Sequence, residues 1–265
     1  MKNSKVLRMV CTALILILLL AVLCLMFGNP VSYVLVSMRT EAHLENHYPG
    51  TDLRIESVRY DFKHPGYTVH VVSPSSTDTH FRLLCSGFGD VTTDYYESAV
   101  ASGSNTLARL SGAYDSHTKE VLGDFPFDAD LCRGELTEKY GNESGSLHKE
   151  FGLDKSTLVL DADYDIPSLA RDHGRIHICI YDEDVSVENA ADILLDLKNH
   201  ADQRDLPFHA IDFTLLPPRN PDSTNSTTEG IYLFDFLYAD IYEDGLTDRV
   251  ASANEEAQSY LDLDP

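Results

Sequence analysis

The sequence predicts an α+β protein in which an N-terminal transmembrane helix precedes two small domains, each with an antiparallel or mixed sheet and helices packed on one face. Three observations predict this class. Residues 9–27 carry no charge. Strand-like and helix-like segments then follow one another without a regular βαβ repeat. The chain is 43% apolar and 24% charged, a composition that supports buried cores.

The uncharged N-terminal run predicts a membrane anchor. A helix of this length would rise about 28 Å, close to the hydrocarbon thickness of about 30 Å. Basic residues precede the run, at Lys2, Lys5 and Arg8. These charges place the N-terminal tip in the cytoplasm and the C-terminal region outside it. We therefore expect a single-pass protein of the cell membrane, with residues 1–28 as its cytoplasmic tip and transmembrane anchor.

Two alternatives to a retained anchor remain at this point. A cleaved secretory signal has an apolar core of about 7 to 15 residues and a small-residue cleavage site, whereas this core is longer. A lipoprotein signal would use Cys24, but Leu23 stands where such signals need a small residue.

Residues 29–145 are predicted to form a juxtamembrane helix, a first α+β domain and connecting helices. Asn29 and Pro30 have the pattern of a helix cap followed by a first-turn proline, and helical spacing continues to Tyr48. Pro49 ends this helix. The following segments predict strands at 53–62, 67–72 and 79–85, then a long helix through Leu107 and Tyr114.

Residues 146–265 are predicted to form the second α+β domain. The chain is polar between residues 122 and 153, so we expect connecting helices there and a boundary near Gly145. Strands are expected at 156–165, 175–181, 208–216 and 231–238. Helices are expected at 166–173 (or a turn), from Ser186 onward and at 246–261.

The net charge of −23 indicates an anionic exterior. Such a surface repels the phosphates of nucleic acids and favours cations and basic partners. We therefore expect no nucleic-acid partner.

The acidic cluster Asp161, Asp163 and Asp165 is the candidate metal site. On a strand, alternate residues point to one side, so the three carboxylates would converge and attract a divalent cation. The spacing does not fit an EF-hand, which needs Gly at its sixth position. A looser site would add the acids of 182–184, and a solvated acidic strand face is the alternative.

No catalytic or cofactor-binding residue is predicted. His43 and His47 have the spacing of a zinc-protease pair, but Leu44 occupies the position of the required Glu. His173 and His177 straddle a predicted turn and strand. Ser116 and Ser146 each begin an S-x-x-K match, but no K-T-G follows, and the sequence contains neither G-x-S-x-G nor a phosphate-loop motif. Enzymatic activity stays uncertain, and a non-enzymatic role is favoured.

About forty residues resemble the YfjL-like proteins. The resemblance is carried by the helix end 42–49, the strand 55–63, Gly66-Tyr67 and the segment 72–81. It implies a small single-pass membrane protein of Gram-positive bacteria and transfers no catalytic residue. A helix followed by an antiparallel sheet also looks like PepSY or cystatin-type modules, which would imply protease regulation.

These observations favour an extracytoplasmic protein that binds an envelope protein or peptide. An edge strand, either 67–72 or 231–238, would accept an extended peptide by strand addition. One alternative is an extracytoplasmic hydrolase or cation-dependent enzyme that uses the clustered carboxylates. The other is a PepSY-like protease regulator.

Overall fold

The computed structural model describes residues 2–63, 66–127, 129–139, 151–218 and 230–261; the side chains at 2–8, 21, 25, 27 and 130 are outside this description. The chain divides into two compact units. The first comprises residues 1–105 and 159–161, and the second comprises residues 106–158 and 162–265. The predicted boundary near Gly145 lies outside the described residues.

Helix α1, Lys2–Phe27, contains the uncharged run. Within the described part of the chain, no helix is both long and apolar enough to cross a membrane. For the residues described, this finding contradicts the transmembrane and signal-anchor part of the predicted fold class.

Helix α2, Pro30–His47, begins as the sequence predicts. The Asn29 side chain accepts a hydrogen bond from the Val31 backbone N–H at 2.9 Å. Pro30 occupies the first turn, where a missing N–H costs nothing. Buried Val36, Thr40 and Leu44 lie on the side of α2 that faces the sheet of the first unit.

The first sheet is an antiparallel meander in the order β1-β2-β3-β4. Its strands are β1 Arg54–Asp61, β2 Gly66–Ser73, β3 Ser76–Cys85 and β4 Val91–Asp94. Alternate residues of β2 and β3 are buried and form a core with α2. The buried apolar residues of these two strands are Tyr67, Val69, Val71, Phe81, Leu83 and Cys85.

The second sheet has the order β5-β6-β7-β8, with β6 and β7 parallel and the outer pairs antiparallel. Its strands are β5 Ala129–Leu136, β6 Gly174–Tyr181, β7 Ala210–Leu216 and β8 Ile231–Leu237. The helices of this unit are α3 Ser104–Leu122, whose first two residues belong to the first unit, α4 Ile166–His173, α5 Val187–Gln203 and α6 Leu246–Leu261.

Helix α5 makes the crossover that two parallel strands require. Its Ser186 cap accepts a hydrogen bond from the Asn189 backbone N–H at 3.2 Å, as the sequence predicts. Ile176, Ile178 and Ile180 of β6 point into the core beneath this helix. The two sheets and their helices confirm the α+β class.

Two segments differ from the sequence-based prediction. The polar stretch after residue 122 contains strand β5 rather than only connecting helices. Residues 156–165 do not form a strand: a 3₁₀ turn at Lys155–Thr157 is followed by a turn in which Asp161 has φ of 57°. Asp165 then caps α4 through the Ser168 backbone N–H. Local capping by aspartates therefore overrides the apparent alternation.

Candidate functional site

Strand β1 forms a long edge of the first sheet. In an antiparallel pair, every second residue of an edge strand directs its N–H and C=O away from the partner. Among the described residues, the backbone of residues 54–60 forms hydrogen bonds only in the ladder with β2. A bulge between Ile55 and Ser57 interrupts that ladder. The outer backbone groups of β1 are therefore available to another extended chain.

Side chains of neighbouring helices bond to backbone groups at both edges of the second sheet. On β5, the backbone N–H of Gly134 donates to Asp115 Oδ1 at 3.1 Å, and that of Leu136 donates to Ser111 Oγ at 2.9 Å. Asp115 and Ser111 both belong to α3. Edges blocked in this way do not accept a further strand.

Strand β8 is an edge, as expected, but helix α6 occupies part of it. The backbone N–H of Tyr232 donates to Asn254 Oδ1 at 2.9 Å, and Gln258 Nε2 donates to the Gly230 carbonyl at 3.1 Å. The other expected strand, 67–72, lies between β1 and β3 and is not an edge. As the edge that could accept an extended peptide, β1 therefore replaces these two segments.

A groove of about 420 Å³ lies beside the start of β1. We call it the β1 groove. The last turns of α2 contribute Glu41, Leu44 and Glu45, the connecting loop contributes Tyr48, and the strand side contributes Leu53. Both glutamates are exposed. Arg54 also lines the groove, which therefore combines an apolar floor with two carboxylates and one guanidinium.

A hydrogen-bond cluster fixes the wall of this groove. Asp94 Oδ2 accepts from Tyr48 Oη at 2.8 Å and from His43 Nε2 at 2.9 Å. Burial and the hydrogen bond to Asp94 raise the pKa of Tyr48 well above its ordinary value. The Tyr48 ring also packs on Phe81 and Tyr96, with centroids 5.8 and 4.6 Å apart. The phenol therefore stays neutral and holds the helix end against the sheet.

The second unit carries a charged network on the sheet face opposite the isoleucine core. We call it the charged face. It takes one residue from β5, two from β6, and one each from β7 and β8: Glu135, Arg175, His177, Asp212 and Asp235. Cross-strand register brings them together, since Glu135 lies opposite Arg175 and His177 lies opposite Asp212.

His177 stands between two carboxylates on the charged face. Its Nδ1 lies 3.0 Å from Asp212 Oδ2, and its Nε2 lies 3.3 Å from Glu135 Oε1. Burial alone would lower the pKa of His177, but the hydrogen bonds to Asp212 and Glu135 and their charges raise it to about 9. The imidazole is therefore protonated at neutral pH, which does not suit a general base.

Arg175 completes the network beside the imidazole. Its guanidinium forms an ion pair with Asp235, which is only 8% exposed, and its Nη1 lies 3.7 Å from Asp212 Oδ2. Asp235 sits in a bulge of β8 with φ of 50°, and its N–H donates to Asp212 Oδ1 at 2.7 Å. Each charge thus has an opposite charge beside it, as buried charges require.

The predicted metal residues are divided between the two units. Asp161 belongs to the first unit, where its Oδ1 accepts from the Asp78 backbone N–H at 3.0 Å. Asp163 and Asp165 belong to the second unit, and Asp165 is the cap of α4. Among the described residues, no group of three His, Cys, Asp or Glu side chains is arranged to hold a metal. Cation binding by these aspartates stays a prediction.

The other candidate residues have local roles in the structure. Asp182 Oδ1 accepts from the Asp184 backbone N–H at 2.9 Å. The rings of His43 and His47 stack with centroids 4.0 Å apart, and His47 Nδ1 bonds to the His43 carbonyl. Each of these contacts is explained without a ligand.

Sequence reasoning missed both the β1 groove and the charged face. Their residues come from elements far apart in the chain, and only the strand register brings them together. The available signal was the alternation of charged and apolar residues along a strand, as in Arg175-Ile-His177.

These features define a class: a two-unit α+β protein with an open edge at β1 of its first sheet and a charged network on its second sheet. Family models match most of the chain. The YfjL-like N-terminal domain matches residues 3–95 and the YfjL-like C-terminal domain matches residues 113–251. The chain therefore belongs to the YfjL-like family, which confirms the resemblance seen in the sequence. Membrane anchoring and the PepSY likeness gain no support from these matches.

One solved structure is similar to the chain, a DUF5037 family protein from Ruminococcus gnavus. It is 11% identical, with a TM-score of 0.24, and the match covers 83% of this chain and 99% of that one. A TM-score this low carries no argument about fold or function. No curated protein matches the chain.

Proposed function

We propose that the first unit binds an extended peptide, which adds to β1 as a further strand of the first sheet. The observation that carries this proposal is the set of outer backbone groups of residues 54–60, which bond to nothing beyond β2 among the described residues. Main-chain hydrogen bonds supply affinity in strand addition, and side-chain pockets supply specificity.

The β1 groove supports a choice of peptide. An added strand would direct alternate side chains toward α2, where Leu44 and Tyr48 offer apolar contacts and Glu41 and Glu45 offer carboxylates. Two carboxylates outnumber the one guanidinium of Arg54, so charge complementarity favours lysine or arginine at the peptide positions nearest Glu41 and Glu45. The preferred occupant is an extended peptide that alternates basic and β-branched residues.

The first experiment measures binding of a labelled decapeptide of alternating lysine and valine to the full chain by fluorescence anisotropy. The comparison peptide has the same charge but carries two central prolines, which remove strand-forming N–H groups. We expect the alternating peptide to bind at least tenfold more tightly. Equal affinity for the two peptides would show that charge alone drives binding and would overturn strand addition.

A matched pair of variants locates the site. Glu45→Lys reverses a charge at the groove, two residues before the end of α2. Glu120→Lys makes the same change at an exposed position two residues before the end of α3. Lysine near a helix C-terminus is compatible with the helix dipole, so both variants should fold. We expect about tenfold weaker binding for Glu45→Lys only, and equal losses in both variants would contradict the site.

The remaining sequence-based expectations stay predictions. They are the extracytoplasmic location, the lack of a nucleic-acid partner, and the alternatives of a cation-dependent hydrolase or a protease regulator. Loss of a measured activity when Asp161, Asp163 and Asp165 are replaced by Asn would support the hydrolase.

A further inference from the structure

The first sheet has a second surface, which faces away from its α2 core. Successive residues of a strand point to opposite faces of the sheet. In β2 and β3, His70, His80 and Arg82 each stand next to a residue that is buried in the α2 core, so these three side chains point to the other face. Arg59 of β1 points the same way, because its neighbours Val58 and Tyr60 pair with the core residues Val69 and Tyr67. His70 lies opposite Arg82 in the register. We call this surface the outer face of the first sheet.

The two arginines of the outer face carry charge that the protein does not neutralise. Both side chains are exposed. In the described part of the chain, neither guanidinium takes part in an ion pair; that of Arg82 lies 5.1 Å from the centroid of the Tyr95 ring. Arg59 on β1 and Arg82 on β3 lie on either side of β2, and two exposed arginines without an acidic partner among the described residues are unexpected in a chain with a net charge of −23. Their charge is therefore available to a partner.

A cavity of about 720 Å³ opens on the same face. Its lining includes His70, His80, Arg82 and Tyr95, and among the described lining residues Glu56 is the one carboxylate. Nitrogen donors and an aromatic ring thus surround a space large enough for several residues of an extended chain.

The spacing of these donors indicates the kind of anion. His80 and Arg82 alternate along β3, so their side chains emerge about 7 Å apart, and His70 lies one strand away, about 5 Å across. A single phosphate group is too small to contact donors spread over this area. An extended polypeptide with an acid at every second residue presents carboxylates at the same interval of about 7 Å.

We propose that the outer face of the first sheet binds an extended acidic segment of a partner protein, with alternate carboxylates directed at Arg82 and its neighbours. This site is independent of strand addition at β1. It uses another surface of the sheet and takes the opposite charge.

The test uses an octapeptide of alternating glutamate and serine as the probe, with the full chain and low salt. Two comparison ligands are a block peptide with four glutamates followed by four serines, and inorganic phosphate. We expect the alternating peptide to bind more tightly than both, and its binding to weaken as salt rises because exposed charges are screened. Equal binding of the block peptide, or saturable binding of phosphate that competes with the alternating peptide, would overturn the proposal.

Charge-removing variants place the peptide on the molecule. Arg59→Gln and Arg82→Gln should each weaken binding by about two- to fivefold, the range expected for exposed ion pairs. The matched control is Arg133→Gln, which removes an exposed arginine from β5 in the second sheet. Because all three positions are exposed, thermal unfolding should be unchanged and should verify folding. Binding that falls equally in the control, or that persists in the Arg59→Gln, Arg82→Gln double variant, would contradict the site.

Discussion

Replacing His177 by Gln should destabilise the second unit by about 2 kcal/mol at pH 6. The magnitude follows from the pKa of His177, which rises from 6.5 to about 9 in the folded protein. At 1.36 kcal/mol per pKa unit, this rise corresponds to at most about 3.4 kcal/mol. The His177 side chain keeps 24% of its surface exposed, and solvent screening lowers the expected effect to about 2 kcal/mol.

The stability difference between wild type and His177→Gln should depend on pH in a specific direction. A folded pKa above the unfolded value means that the stabilisation is fully present below pH 6.5 and is lost as the pH rises toward 9. Urea unfolding of the full chain at several pH values, followed by far-UV circular dichroism, measures this difference. It should be largest near pH 6 and smallest above pH 9.

His117→Gln is the matched control for this experiment. His117 lies on α3 of the same unit, and its Nε2 is 3.2 Å from the Asp205 carbonyl, with no carboxylate bonded to it. We expect a loss below about 0.5 kcal/mol. A His177→Gln loss that does not change between pH 6 and 9 would refute the argument that charge, rather than shape, makes this histidine stabilising.

Two further predictions concern packing and a hydrogen-bond cluster. Gly134→Ala should lower the free energy of unfolding by about 1 to 3 kcal/mol, because a Cβ there would collide with the Thr118 side chain. The control is Gly112→Ala on α3, whose added Cβ meets nothing within 4 Å and should stabilise the protein by about 0.5 to 1 kcal/mol. Equal effects of the two substitutions on the melting temperature would contradict the packing described. Asp94→Asn should cost about 1 to 2 kcal/mol at pH 7 through weaker bonds to His43 and Tyr48. Burial raises the pKa of Asp94, but the bonds from these partners outweigh it and lower the pKa. The stability difference between wild type and Asp94→Asn should therefore shrink as the pH falls below 4. A difference in urea midpoints that stays constant with pH would contradict this.

Local signals in the sequence predicted much of the first unit. The cap at Asn29, the helix end before Pro49 and the hairpins of β1, β2 and β3 each depend on residues close together in the chain. Alternating burial in β2 is strict, so periodicity was sufficient there. Helix α1 is the exception, because its apolar run predicted a span that the described residues do not provide.

The second unit was harder to predict because its key strand looks polar. Strand β5 buries Leu136 and packs Gly134 against α3, while Glu135 joins the charged face. A sequence with charged residues at alternate positions looks like a solvated loop unless the partners of its charges are known. The apparent strand 156–165 failed for the opposite reason, since Asp161 adopts a left-handed turn conformation and Asp165 caps α4.

Amide hydrogen exchange of the full chain, with and without the alternating lysine–valine peptide, tests peptide addition to β1 most directly. A new strand would hydrogen-bond the outer groups of Arg54–Asp61, so exchange there should slow severalfold while exchange in Ile231–Leu237 of β8 stays unchanged. Peptide binding that leaves exchange in Arg54–Asp61 unchanged would contradict the account.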